Sequence, residues 1–171
     1  LVKIVSKSYV DGFYYKPRVD KDLLQQYSEG LICLSGCLAG NVQRMILNRD
    51  YDGAKKEALW LRETFGADNF YLELQNHFLE EDERVIEGLK MLSEETGIPL
   101  VATNDAHYMR RSDATAQDVL MCIQTQAKVT DENRMRFEND EFYVKSEVEM
   151  RELFPDMPEV IDRTQEIADR C

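Results

Sequence analysis

Three short segments hold the side chains that could do chemistry. Asp105-Ala106-His107 is a D-x-H pair. In extended backbone, residues i and i+2 point to the same side, so this carboxylate and imidazole can converge on one ion. A hard oxygen beside a borderline nitrogen suits zinc, manganese or iron. The same residues also admit a plainer reading, with Asp105 capping the next segment and His107 a satisfied polar residue beside Tyr108. Cys37 lies in Ser35-Gly36-Cys37-Leu38-Ala39-Gly40, where glycines permit a tight strand-to-helix turn. Its thiolate could ligate a metal or act as a nucleophile activated by the following helix. The alternative is a small buried residue. His77 follows Glu73-Leu74-Gln75-Asn76 and is either a polar loop residue or a support behind a neighbouring ligand.

Three strands and the helices between them must position these segments. Leu31–Leu34, Phe70–Leu74 and Ile98–Thr103 are short apolar runs bounded by turn signals such as Gly30, Gly66 and Gly97. Between them Ala54, Ala58, Leu61 and Phe65 recur at helical spacing, as do Val85, Ile86, Leu89 and Leu92. Strand–helix–strand alternation predicts an α/β fold of parallel strands with flanking helices. The first crossover holds two helices, over 41–47 and 51–65. In such folds functional side chains gather past the carboxyl ends of the strands. Cys37, His77 and the Asp105–His107 pair all follow a strand, so Cys37, Asp105 and His107 are expected to meet on one face.

Beyond Tyr108 the pattern changes. Ser112 is read as the N-cap of a helix over 113–124 that carries Val119, Leu120 and Ile123 inward. A polar loop over 125–140 follows, then a short strand at Phe142-Tyr143-Val144. Ser146-x-x-Glu149 has capping-box spacing, and Pro158 opens a last helix over 159–169. Phe13-Tyr14-Tyr15-Lys16-Pro17-Arg18 mixes aromatic and basic residues as a nucleic-acid contact would, but in so acidic a chain it is read as structural packing.

Composition limits the partners. The 171 residues hold 21 Lys and Arg against 33 Asp and Glu, a formal charge of −12. Surfaces that grip duplex DNA are basic, so this chain alone is not expected to bind duplex strongly. Cys33, Cys37, Cys122 and Cys171 form no C-x-x-C pair, which points to a reduced, cytoplasmic setting rather than a disulfide framework. Cys33, inside its strand, is assigned to the core. No apolar run is long enough to span a membrane. Walker, G-x-G-x-x-G, H-E-x-x-H and G-x-S-x-G patterns are absent. The start lacks methionine and falls inside an apolar pattern, from which a piece of a longer protein is expected.

Several stretches together resemble the PHP (polymerase and histidinol phosphatase) domain of bacterial DNA polymerase III alpha subunits. They are Gly12–Arg18, Glu29–Ile32 leading into Leu34–Gly40, Phe70–His77, Pro99–Tyr108 and Phe142–Ser146. They occur in order over nearly the whole chain. The resemblance implies a partial distorted (β/α) barrel, with residues 1–124 as the C-terminal part of the PHP barrel. Residues 125–171 would be a long loop, short strand and helices leading toward the polymerase palm. It implies a metal cluster supporting phosphoesterase or 3′–5′ exonuclease chemistry, in which Cys37, Asp105 and His107 match ligand positions. His77 and Asn104 would support those ligands from behind. The family's H-x-H and D-H ligand motifs do not occur in this sequence, so a divalent metal site (Zn, Mn or Fe) is expected to be incomplete and the chain inactive alone. In the parent the implied partners are DNA and the other polymerase III holoenzyme subunits. A non-catalytic scaffold that steadies the polymerase or docks the proofreading exonuclease is the alternative role. A truncated barrel would also expose strand edges, favouring self-association.

Overall fold

The computed structural model describes all 171 residues, Leu1–Cys171. Helix α1 (Val2–Val10) leads into a hairpin of β1 (Phe13–Tyr14) and β2 (Lys16–Pro17), followed by α2 (Lys21–Gln26). Strand β3 (Cys33–Leu34), helices α3 (Asn41–Leu47) and α4 (Tyr51–Phe65), strand β4 (Phe70–Leu74), helix α5 (Glu80–Thr96) and strand β5 (Leu100–Ala102) form the centre. Helices α6 (Ala114–Thr125), α7 (Glu147–Leu153) and α8 (Pro158–Arg170) complete the chain.

The expected parallel sheet is present, in the order β3-β4-β5, and both pairings are parallel. It is open and not a closed barrel. Central β4 is buried along its whole length. Phe70, Leu72 and Leu74 alternate along it and pack with Ala54 and Ala58 of α4 and with Val85, Leu89 and Leu92 of α5. The two helical stripes seen in the sequence therefore bury against the sheet, at about 25 cal/mol per Å² of apolar surface removed from water. Gly97 ends α5 in the left-handed region at φ 70°, where a Cβ would be strained.

Strand β5 is one of the two outer strands, but its outer edge is not bare. Pro99 and Thr103 bond to β4, so alternation turns the Leu100 carbonyl outward, where it accepts from the Arg163 guanidinium of α8. Val160 and Ile161 of the same helix enter the core. The edge left for the expected self-association is that of β3.

Four further expectations are corrected. Ser112 does not cap a helix: Arg111–Asp113 form a 3₁₀ turn, and α6 begins at Ala114. Val119, Leu120 and Ile123 are exposed, while Met121 and Cys122 turn inward. The apolar positions of α6 cover more than one face, and only packing decides which is buried. Phe142–Val144 is not a strand but a single parallel bridge, Tyr108 to Tyr143. Nor does Phe13–Arg18 pack away, since Phe13, Tyr14 and Tyr15 are all exposed. The capping box is as read: Ser146 and Glu149 satisfy each other's backbone N–H groups.

Candidate metal centre

The carboxyl ends of β3, β4 and β5 each release a polar segment. After β3, the chain turns at Gly36 (φ 90°), a conformation that favours glycine. Gln43 of α3 fixes this turn, its amide donating to the Ser35 hydroxyl at 2.7 Å and the Gly36 carbonyl at 2.8 Å. Cys37 follows and is exposed, so it is not the small buried residue of the plainer reading. Cys33 is only partly buried, and burial, reinforced by the Glu73 charge, pushes its thiol up to about 11.

Glu73, the single charged residue of β4, ties the strand exits together. Its carboxylate accepts from the Gly36 N–H at 3.0 Å, the Gln75 amide at 3.2 Å and the Thr103 hydroxyl. Sequence reasoning missed this role. The available signal was a carboxylate inside an otherwise apolar strand, since buried charges persist only when well bonded.

Past β5, Asp105 and His107 come together across a tight turn in which the Ala106 N–H donates to the Asn104 carbonyl at 3.0 Å, not in the extended backbone that the D-x-H reading assumed. Asp105 Oδ1 lies 3.1 Å from His107 Nε2, with both side chains about two-fifths exposed. The 3.1 Å separation is that of a direct hydrogen bond between the two side chains, and it also lies near the roughly 3.3 Å between donors bound to one tetrahedral ion at about 2.0–2.1 Å. Backbone bonds from His107 N–H to the Phe142 carbonyl (2.7 Å) and from Val144 N–H to the Tyr108 carbonyl (3.1 Å) hold the segment in place. The Phe137 ring lies 4.8 Å from the His107 ring.

His77 lies directly behind this pair and is almost fully buried. Its ring stacks on Phe142 at 4.6 Å, nearly parallel. Its Nε2 accepts the Asp105 backbone N–H at 3.2 Å, and its Nδ1 faces Asp82 Oδ2 at 4.0 Å. Burial, opposed by the Asp82 charge, lowers the pKa of this imidazole. The neutral ring keeps the Nε2 lone pair the contact requires. Asn104, the other expected support, donates to the Tyr143 carbonyl and accepts from Lys145 Nζ at 3.5 Å. Lys145 is a nearly buried cation, 3.2 Å from Glu141 and 4.5 Å above the Tyr143 ring. Lys145 and Glu141 are four residues apart, but outside a helix that spacing carries no signal, and their other partners, Asn104 and Arg111, are brought close only by the fold.

The structure thus joins Asp105 to His107 and sets His77 against their backbone. Cys37 does not complete the set, because no group of three or more His, Cys, Asp or Glu side chains is placed to hold a metal ion. Asp105 and His107 can offer two donors to a divalent ion, fewer than the four of a closed structural zinc site.

Comparison with known proteins extends over this geometry. Residues 1–77 match the PHP domain family. The whole chain is similar to DNA polymerase III subunit alpha from Borreliella burgdorferi, at 53% identity over 171 residues. It is 47% identical to that of Treponema pallidum and 45% identical, over 174 residues, to that of Deinococcus radiodurans. The likeness read from the motifs therefore runs along the entire chain, through Asp105 and His107. The chain spans 15%, 15% and 13% of the length of these three curated relatives. No helix is long and apolar enough to cross a membrane.

Proposed function

We propose that this chain is a segment of a longer polypeptide of the polymerase III alpha type, in which it supplies part of a PHP metal-dependent phosphoesterase or 3′–5′ exonuclease site. Residues 1–124 serve as part of a distorted (β/α) barrel, and residues 125–171 lead toward the polymerase palm. The observation that supports this reading is the Asp105–His107 pair, 3.1 Å apart and open to solvent, at the carboxyl end of a parallel strand. In the assembled site Asp105 and His107 would be two of the donors to a divalent metal (Zn, Mn or Fe), and Cys37, which lies past β3 on the far side of β4, would join them only once the rest of the site is assembled. Such a metal, when bound, lowers the pKa of a water and neutralises charge on phosphoryl oxygens. The chain's own residues orient the donors: His77 through the Asp105 N–H, and Asn104 through the Tyr143 carbonyl. Two donors without their partners do not make a catalytic site, so the chain alone is inactive in polymerisation and hydrolysis. The longer protein would work in the cytoplasm on DNA, with other polymerase III holoenzyme subunits.

A scaffold role is the second reading, in which the segment steadies the polymerase or docks the proofreading exonuclease. It draws support from Asn104, Lys145 and Glu141, whose polar atoms are used to join segments of this chain to one another. Bound metal and phosphodiester hydrolysis, measured on the full-length subunit with and without Asp105→Ala and His107→Ala, separate the two. Metal loss together with loss of hydrolysis supports the site. Unchanged metal content and rate favour the scaffold. A metal-dependent nuclease rate in the 171-residue chain, lost with Asp105→Ala, would overturn the claim that it is inactive alone.

A further inference from the structure

Residues 126–140, between α6 and the bridge at Tyr143, contain no helix or strand, and most of their side chains lie in solvent. Within 128–140 only Arg134, Phe137 and Asn139 turn inward. The Phe137 ring lies 4.8 Å from the His107 ring and 4.3 Å from that of Phe142. The Asn139 amide donates to the His77 carbonyl at 2.7 Å. The Arg134 guanidinium makes two parallel bonds to Asp118 of α6, at 2.5 and 2.7 Å. Its side chain is only 6% exposed.

Long segments without regular structure in a compact domain are commonly functional. A two-bond arginine–carboxylate pair fixes orientation as well as distance. Among residues 126–139 this is the only ion pair, so the segment is fastened to α6 at one charged point. A cavity of about 280 Å³ adjoins it, lined by Tyr108, Thr115, Arg136 and Phe137 among others, and gives Phe137 space to move away from His107. The segment begins at Gln126, which ends α6 in the left-handed region at φ 57°. Residues at the ends of elements are those that absorb a hinge motion.

We propose that residues 126–140 form a hinged strap over the Asp105–His107 pair, with Arg134 and Asp118 as its latch and Phe137 as a positioning residue for the His107 imidazole. Closed, the strap holds the Phe137 ring against His107, and Nε2 stays 3.1 Å from Asp105. Open, it frees the imidazole to turn away and admits water to both of its faces. The inference rests on the reading of Asp105 and His107 as site residues.

Trypsin reports the latch on the 171-residue chain, because a side chain as buried as Arg134 is cleaved only after the strap opens. Cleavage then follows the population of the open form. Asp118→Asn, which keeps the shape of the side chain and removes its charge, should speed cleavage after Arg134 about tenfold. Arg134→Lys keeps a cleavable cation but loses the two-bond geometry, and should speed cleavage at the same position. In both variants diethyl pyrocarbonate should modify His107 about twofold faster, as a side chain now two-fifths exposed opens to solvent. Buried His77 should stay unreactive. Phe137→Leu should raise the His107 rate likewise, and Phe137→Tyr, which keeps the ring, should leave it as in the parent chain. The proposal is overturned by an unchanged cleavage rate at position 134, or by strap opening that leaves His107 modification unchanged. It is also overturned if cleavage within α4 and α5 accelerates equally, which would make the ion pair a contact for global stability alone. Neither readout involves a metal, so a failed strap and a failed metal reading are seen separately.

Discussion

His77 Nε2 accepts the backbone N–H of Asp105 at 3.2 Å, joining the exits of two parallel strands 28 positions apart in the chain. An imidazole so deeply buried would ordinarily be a packing residue. Here its lone pair accepts the N–H of the peptide that carries the Asp105 carboxylate, the contact through which His77 would position the proposed site.

Replacing His77 by phenylalanine keeps the stack on Phe142 and removes the acceptor. The Asp105 N–H is then left without its partner, at a cost of about 1–3 kcal/mol. Urea unfolding should show the loss, and hydrogen exchange at Asp105 should accelerate. An unchanged midpoint and unchanged exchange would remove His77 from this role.

The two cysteines near β3 should differ in reactivity. The Cys33 thiol is pushed up to about 11 by burial and the Glu73 charge, while Cys37 is exposed. Alkylation at pH 8 followed by peptide mass mapping should modify Cys37 and Cys171 well before Cys33, because the thiolate is the reacting form. Equal rates at Cys33 and Cys37 would contradict the burial described.

Acid should weaken the start of α7. Bonds from the Ser146 hydroxyl and backbone, with help from the Tyr143 hydroxyl, hold the Glu149 carboxyl down to about 2, against an ordinary 4.5. A depressed folded pKa means that the unfolded chain binds the proton more readily, so the stabilisation is full above about 4.5 and lost as pH falls toward 2. Glu149→Gln should flatten the stability profile over that window relative to the parent chain. An identical acid limb in the two proteins would show that Glu149 is not linked to folding.

Buried and exposed leucines should respond differently. Leu89 is fully buried in the core between α5 and the sheet, so Leu89→Ala should cost about 2–5 kcal/mol. Leu120, which periodicity alone would turn inward, is 58% exposed. Leu120→Ala should stay within about 0.5 kcal/mol. Comparable losses at both sites in chemical denaturation would restore the inward reading of α6.

The sequence by itself determined the parallel strands, the two crossover stripes and the capping box. Each is a local pattern, set by side-chain period or turn chemistry, and so it survives in one dimension. Its motifs also carried the likeness to the polymerase III alpha subunits. Tertiary structure alone decided what depends on residues distant in sequence. It placed Cys37 outside any three-donor group, set His77 behind Asp105 and gave Glu73 its partners from the exits of β3 and β5. It also turned Val119, Leu120 and Ile123 outward and left the Tyr14–Tyr15 hairpin in solvent. Burial is a property of what packs against a face, and no periodicity in the face itself names its partner.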